Sequence, residues 1–544
     1  VLRAYTAAAV RAAEQPLLDA GQGPALMRLA GHGLALGVVS LLRGRGRRVY
    51  GARVMLLIGS GNNGADALFA GAHLASQGAR TTALLTSART RADALAAFTR
   101  AGGRVLEVAP GPAGTLGSAG SAGSAGSAGS ASTAGTPDTQ GTAAFLREAE
   151  LADVIMDGLL GTGGRGGLRE PAAGVVAQLC KIRTRGALAG SGPAVVACDL
   201  PSGVDATSGE VYGPVLAADL TVTFGALKTG LVAAPGEQLC GAVSVVELGI
   251  AGHLGTPDVL RLEGSDLAAM LPRPESTDQK YTRGVAGIVA GSARYPGAAL
   301  LSVAAASACG PGMVRYLGDP AVSAALHVRN PEAVCSAESP EDVRVQAWLA
   351  GPGVDGDSAQ LGRARLAMAS GLPTVVDAGA LTLVGRAGQP GAAEQSQLVL
   401  TPHAGELSTL LARLGTERSR TDVEAAPVEA ARQAARLTGA TVLLKGPTTV
   451  VASPGGPTYT QGDGTPSLAT AGSGDTLGGI LVALLAMRAG RPPGIGGEPR
   501  DNLPATAALA AALHGRLGQD GAGAPLNAGM LAGRIPAVWA GLTR

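Results

Sequence analysis

The chain has 544 residues, too many for one hydrophobic core, so two domains are predicted. Hydrophobic residues make up 46% and aromatics only 2%, beside 84 glycines, a mixture that suits parallel α/β sheets with glycine-bearing loops. A net charge of +2 with both signs interspersed gives no reason to expect nucleic acid or a membrane as a partner, and the five scattered cysteines, Cys180, Cys198, Cys240, Cys309 and Cys335, exclude a disulfide framework or a zinc site.

The opening, Val1 to Gln15, reads as an amphipathic helix. It shows no basic start joined to an apolar core and cleavage site, and no uncharged run reaches membrane length, so a soluble cytoplasmic protein is expected. From Ala4 to Leu41 apolar residues recur with helical spacing, broken by Gly21, Gly23, Gly31 and Gly33, which predicts two helices. Val54 to Ile58 is then a buried strand. It runs into Gly59-Ser60-Gly61-Asn62-Asn63-Gly64-Ala65-Asp66, and a helix follows from Ala67. Strand, glycine turn and helix in that order bind phosphates at a sheet's carboxyl edge. The glycine spacing alone is a weak signal. The Asn-Asn pair is more informative, since side-chain amides donate to a ligand or offer oxygens to a hard cation; a plain helix-capping turn is the alternative.

Thr81 to Leu85 and Val105 to Val108 are the next strands. Residues 111–141 are low in complexity, with Ser-Ala-Gly repeats that cannot bury enough surface to order themselves, and read as a mobile surface insertion. Val154-Ile155-Met156-Asp157 is a strand ending on an acid, ahead of Gly161-Thr162-Gly163-Gly164-Arg165-Gly166-Gly167. Ala194 to Asp199 repeats that design and leads into Leu200-Pro201-Ser202-Gly203. Leu220 to Phe224 is a third strand, before Lys228. Two strand-end acids, the Asn-Asn turn and a lysine point to one site at one sheet edge.

These stretches resemble the NAD(P)H-hydrate epimerase domain, in order and spacing, over about residues 1–255. The resemblance implies a Rossmann-like three-layer fold. It implies that Asn62, Asn63, Gly64, Ala65, Asp66, the loop from Gly161 to Gly167, and Asp199 contact hydrated NADH or NADPH. It also implies a potassium ion on Asn63, Asp157 and Ser202, although oxygen ligands alone do not separate potassium from sodium. Asp199 is then the acid/base and electrostatic partner, with Lys228 assisting or structural. Ala65 and Ala67 stand where that family usually has glycine; their methyls either crowd the ligand or, at ordinary helical angles, do nothing.

Gly249 to Pro274 has loop character and reads as the junction. Beyond it, strands are predicted at Val285 to Val289, Ala347 to Ala350, Thr374 to Val376 with a terminal Asp377, Leu398 to Leu400, and Thr441 to Leu444. Ala471-Gly472-Ser473-Gly474-Asp475 precedes an apolar helix. Such a turn lets main-chain N–H groups close on an anion at a helix N-terminus, and an aspartate beside a bound phosphate is suited to take a proton from a hydroxyl; a simple helix cap is the alternative. Residues 265–544 resemble the ADP-dependent NAD(P)H-hydrate dehydratase domain. The match rests on Lys280-Tyr281, Gly351-Pro352-Gly353, Thr401-Pro402-His403 with Glu406, Lys445-Gly446-Pro447-Thr448-Thr449, and the anion turn.

That second resemblance implies a ribokinase-like fold, with Ala298, Gly353, His403 and Asp475 around the hydrate. Lys445, Gly446, Pro447, Thr448, Thr449 and Gly474 would hold ADP as co-substrate. His403 contacts the nicotinamide or is a structural core histidine. Glu406 positions magnesium, through water, or is a solvated surface acid. Together the halves imply repair of NADHX and NADPHX by a bifunctional enzyme, with small molecules as partners and an assembly of identical chains. A vitamin-precursor kinase fused to a nucleotide-binding domain shares the glycine turn but leaves Thr401-Pro402-His403 unexplained. A non-catalytic nucleotide-binding module has no use for Asp199, Lys445 and Asp475.

Overall fold

The computed structural model describes residues 1–108, 140–188, 192–354, 356–388, 395–490, 502–519 and 523–543. The low-complexity insertion therefore lies almost wholly outside the described residues, and the helix Gln140–Ala149 follows it. Among the described residues the strands form two sheets.

The first sheet is built from β2 (Arg53–Ile58), β3 (Arg80–Leu85), β4 (Arg104–Glu107), β5 (Val154–Gly158), β6 (Ala194–Cys198), β7 (Leu220–Phe224) and β8 (Ala242–Val246), after a short β1 (Leu2–Ala4) that belongs elsewhere. Its order is β4-β3-β2-β5-β6-β7-β8, every pair parallel. Strand order reverses between β2 and β5, which opens a crevice at their carboxyl ends. Helices Gly23–Gly44, Asn62–Ser76 and Ala92–Arg100 cover one face, while Gln140–Ala149 and Ala172–Leu188 cover the other, giving the three-layer Rossmann-like arrangement expected. Gly31 and Gly33 do not break the helix that carries them. A Cβ on Gly31 would come within 2.8 Å of Phe69, so these glycines are there for close packing. That helix has the length and apolarity of a membrane span, and it packs the face bearing Leu34, Ala35, Val38 and Leu42 on the sheet.

The second sheet adds β9 (Val259–Arg261), β10 (Val285–Val289), β11 (Met313–Leu317), β12 (Val334–Ser336), β13 (Ala347–Ala350), β14 (Thr374–Val376), β15 (Leu398–Leu400), β16 (Thr441–Leu444), β17 (Thr449–Ala452) and β18 (Tyr459–Gln461). Its order is β1-β9-β18-β17-β16-β15-β14-β13-β10-β11-β12. The stretch from β16 to β12 is parallel, β17 is antiparallel to both neighbours, and the order reverses between β10 and β13. The helix Ser473–Ala489 is apolar on nearly every side and lies buried against β10 and β13; a Cβ on Gly479 would collide with the Ser302 carbonyl of the helix Pro296–Ala308 beside it.

Two expectations are corrected. Val1 to Gln15 is not one helix: Leu2–Ala4 is a strand paired antiparallel with β9, and a helix starts at Ala7, capped by the Thr6 hydroxyl. The predicted junction is not all loop. It contributes β9 and the helix Gly264–Met270 to the second sheet's layers. Three-residue strands and two-turn helices fall below the length at which hydrophobic period can be read.

Candidate active sites

In the first sheet β2 ends at Ile58, and the chain turns through Gly59 into the helix Asn62–Ser76. The turn is closed tightly: a Cβ on Gly59 would strike the Leu159 carbonyl, and one on Gly64 would strike the Gly59 carbonyl. Asn62 is exposed, while Asn63, Gly64, Ala65 and Asp66 are buried. Ala65 and Ala67 lie within the helix at negative φ and pack in the sheet's core, with Ala67 over Gly158. Both residues therefore take ordinary helical angles.

Asn63 meets the Asp157–Ser202 pair at Leu160, whose carbonyl accepts from both Asn63 and Ser202. Ser202 Oγ donates to Asp157 Oδ1 (2.7 Å) and Ser202 N to Asp157 Oδ2 (2.8 Å). Asn63 Nδ2 donates to the Leu160 carbonyl (2.9 Å), and Asn63 Oδ1 is buried without a partner. Burial raises the Asp157 carboxyl above its ordinary value; what opposes the shift is hydrogen bonding from Ser202 and Leu159 rather than a cationic side chain. An orphaned amide oxygen, a fully buried carboxylate and a hydroxyl form an oxygen set that fits a hard monovalent cation.

Asp199 follows β6 in a left-handed conformation, φ +67°, a strained geometry that aspartate tolerates better than most residues. Lys228 Nζ donates to Asp199 Oδ1 (2.7 Å), to Thr223 Oγ1 (2.9 Å) and to the Phe224 carbonyl (2.7 Å). Thr223 Oγ1 donates to the same carboxyl oxygen (3.0 Å). Thr162 N donates to Asp199 Oδ2 (3.0 Å), so the glycine loop is anchored over the acid at Thr162; from there Gly163, Arg165, Gly166 and Gly167 are exposed, with Gly161 and Gly164 half-buried. Burial works to raise the Asp199 carboxyl, but the Lys228 charge and the hydrogen bonds outweigh it and hold the group below its ordinary value. Arg11 and Glu14 were not found from sequence. Both lie on the helix Ala7–Asp19: Arg11 Nη1 donates to the Thr162 carbonyl (2.6 Å), and Glu14 interacts electrostatically with Lys228 and Asp199. Nothing in their local sequence marks them.

In the second sheet Gly353, φ +66°, faces Ala298 across the β10–β13 reversal, and Gly291 N donates to the Pro352 carbonyl (2.7 Å). Ser302 Oγ donates to the Asp475 carbonyl (3.1 Å), tying the helix of Ala298 to that of Asp475. Gly472 enters the anion turn at φ +86°. Lys445 Nζ lies 3.3 Å from where a Cβ on Gly474 would be, donates to Asp377 Oδ1 (2.9 Å), and approaches Glu406 Oε2 (3.9 Å). Burial, then the Asp377 charge, raises the Asp475 carboxyl to about 6, with Lys445 opposing. Asp377 is the acid that sequence reading noted at a strand end but did not place in the site. Ser473 Oγ is 2.9 Å from His514 Nε2, a buried ring that desolvation keeps neutral by lowering it to about 4.

His403 is exposed and is not a core histidine. Its Nδ1 accepts from Gly405 N (3.1 Å) and Glu406 N (3.2 Å), while Glu406 Oε2 accepts from His403 N (2.8 Å), so the pair caps the helix Ala404–Arg413. Among the described residues no three acids, histidines or cysteines form a metal cluster, and Glu406 by itself is no such set. Gly446, Pro447 and Thr448 make the turn from β16 to Thr449, the first residue of β17. The Thr448 hydroxyl accepts from Gln238 Nε2 (3.3 Å). It donates to Glu237, which belongs to the first half of the chain and is paired with Arg261 (2.6 Å).

A family model described as NAD(P)H-hydrate dehydratase matches residues 286–536, and one described as YjeF-related protein N-terminus matches residues 23–230. The chain is 40% identical over 492 residues to the bifunctional NAD(P)H-hydrate repair enzyme Nnr of Mycobacterium tuberculosis, covering 90% of each. It is 37% identical over 278 residues to an NAD(P)H-hydrate epimerase of Microbacterium testaceum, covering 51% of this chain and 90% of that one. Among solved structures, an ADP/ATP-dependent NAD(P)H-hydrate dehydratase from Bacillus subtilis is similar at 25% identity and a TM-score of 0.45, covering 52% of this chain and 99% of that chain.

Proposed function

The chain belongs to the bifunctional NAD(P)H-hydrate repair enzymes, and from that premise we propose that its two sheet edges divide the repair of NADHX and NADPHX between them. The first sheet, within residues 1–255, inverts the hydroxyl-bearing C6 of the hydrate. Asn62 to Asp66, the loop from Gly161 to Gly167, and Asp199 hold the hydrated nucleotide. The ring nitrogen pushes out the hydroxyl, and the resulting cation forms beside Asp199, whose negative charge Lys228 keeps in place. Asn63, with its orphaned amide oxygen, Asp157 and Ser202 would hold potassium, which would supply positive charge at the site.

The second sheet, within residues 265–544, dehydrates the S epimer with ADP. The C6 hydroxyl is a poor leaving group. Asp475 takes its proton, its oxygen accepts the terminal phosphoryl group of ADP and releases AMP, the ring nitrogen then expels phosphate to give a ring cation, and loss of a proton from C5 to water or the departing phosphate forms the C5–C6 double bond of NADH or NADPH. The N–H groups at Gly474 and the Lys445 ammonium neutralise charge on the migrating group. Ala298, Gly353 and His403 border the hydrate, and residues 445–449 border the nucleotide. Glu406 would be the side chain nearest to a magnesium ion brought in with the nucleotide, and that ion would neutralise phosphate charge.

The observation that carries this reading is Asp475, a carboxyl raised to about 6 on the anion turn and faced by the Lys445–Asp377 pair. A base titrating near working pH is both ionised and proton-affine. Prepared hydrate and ADP should regain the absorbance of the reduced ring, and Asp475→Ala should remove that recovery. Undiminished recovery would refute the role given to Asp475.

A further inference from the structure

Of the residues given above as holding the substrate, Asp66 is an acid to which no step of the reaction is assigned. Asp66 is buried in the helix Asn62–Ser76, and its Oδ1 has no hydrogen-bond partner. A buried polar atom left unpaired calls for an explanation. The Cys198 thiol contacts the Asn63 carbonyl at 3.6 Å, which clamps the helix's first turn against the end of β6, where Asp199 follows. Asp66 comes one residue short of a turn later and interacts with Asp199, with Arg91, and with Glu14 of the N-terminal helix. Burial first, then the Asp199 charge, raises its carboxyl well above the ordinary value, with Arg91 opposing and Glu14 reinforcing, whereas Lys228 drives Asp199 the other way. Two acids whose surroundings push them apart in this manner divide into a proton donor and an anion.

We infer that Asp66 is the proton donor of the epimerisation and that Asp199, held by Lys228, is the fixed anion and proton acceptor. This rests on the first sheet's crevice being the epimerisation site. Asp66 gives its proton to the C6 hydroxyl as the C–O bond breaks. The hydroxyl leaves as water, and the ring nitrogen's lone pair forms the C=N bond of the cation. Water then adds to the other face, its oxygen bonding to C6 while its extra proton passes to Asp199. Return of that proton from Asp199 to Asp66 through water resets the pair, and no redox change occurs.

The test uses the full-length chain and purified R hydrate without ADP. Exchange into the S epimer is followed chromatographically, after subtracting the uncatalysed rate, across the whole pH range in which the chain stays folded. Wild-type exchange should fall as pH rises and the donor ionises. Asp66→Asn should lower kcat by about 10²- to 10⁴-fold with little change in KM, and should erase the alkaline fall. Asp66→Glu should restore part of the rate. ADP-driven dehydration of the S epimer in the same preparation reports whether the variant has folded. Wild-type exchange by Asp66→Asn would overturn the inference, as would an alkaline fall that Glu14→Gln removes and Asp66→Asn does not. A flat wild-type profile would overturn it even if no variant folded. Active Asp199→Asn would instead sink the underlying assignment of the site.

Discussion

Asp475 must be ionised to act as a base, yet a carboxyl raised from 3.8 to about 6 is one the folded chain prefers to keep protonated. Its contribution to stability is therefore most favourable below pH 3.8, declines as pH rises through the interval, and is wholly unfavourable above about 6. Asp475→Asn should abolish ADP-dependent dehydration while stabilising the fold at neutral pH by roughly 1–3 kcal/mol, with no gain near pH 3, as denaturant titrations at the two pH values would show. The same argument sets the wild-type profile: dehydration should rise with pH through about 6 as the base ionises. Asp199 has the opposite sign. Its lowered carboxyl contributes stability that is present above the ordinary aspartate value and is lost as pH falls through the folded value. Lys228→Met leaves a buried carboxylate with no counter-charge and should cost about 3–5 kcal/mol at neutral pH, part of it recovered in the double variant with Asp199→Asn.

Strand, glycine turn and helix is the element that both sites use, and it was legible because each part signals locally. Val54 to Ile58 is continuously apolar, the glycines are consecutive with the Asn pair, and the helix follows at once. The structure adds which glycine is essential. A Cβ on Gly59 would run into main chain, which cannot rotate away, whereas nothing lies near one on Gly61. Gly59→Ala should therefore cost on the order of 1–3 kcal/mol and remove epimer exchange, Gly61→Ala should be far milder, and both should keep ADP-dependent dehydration. What could not be read was anything requiring distant segments to meet. Arg11 and Glu14 sit on an ordinary helix and gain meaning only where it passes the Thr162 loop. Asp377 carried the same strand-end signal as Asp157 and Asp199, but a signal of position does not say which neighbour will pair with it; Lys445 does, from a strand more than sixty residues later. Thr448 matched a family motif by order, and order is silent on direction: its hydroxyl turns to Glu237.

At the scale of the molecule, two domains in sequence are not two independent bodies in space. One apolar cluster runs through Ala4, Leu200, Leu227, Leu231 and Cys240 of the first half and on to Leu400, Val442 and Val450 of the second. β1 lies at the start of the chain yet forms the edge of the second sheet, with Leu2, Arg3 and Ala4 opposite Arg261, Leu260 and Val259. Directly after it, Tyr5 N donates to the Leu227 carbonyl and Thr229 N to the Tyr5 carbonyl, both at 2.9 Å, so Tyr5 brackets the lysine that holds Asp199. Arg261 pairs with Glu237, which takes the Thr448 hydroxyl at the turn beside Lys445. The segment crossing from one half to the other, around Gly252 and Gly255, is exposed, and a Cβ at either glycine would meet nothing. A protease site inserted after Gly255 should therefore be cut without release. The pieces should co-elute on size exclusion and keep both activities, because β1, the shared apolar cluster and the Glu237 pairs hold them together without the covalent link. Arg3→Pro puts a proline into the strand β1, which pairs across this seam with β9 and runs directly into Tyr5, and Thr448→Val removes the hydroxyl that reaches Glu237 across it. Combined with the cut, the two substitutions should shift the pieces toward separate elution, with epimer exchange failing before dehydration, since Lys228 is the group that Tyr5 brackets. Clean separation of the cut wild-type pieces would show instead that the seam is held by chain connectivity alone.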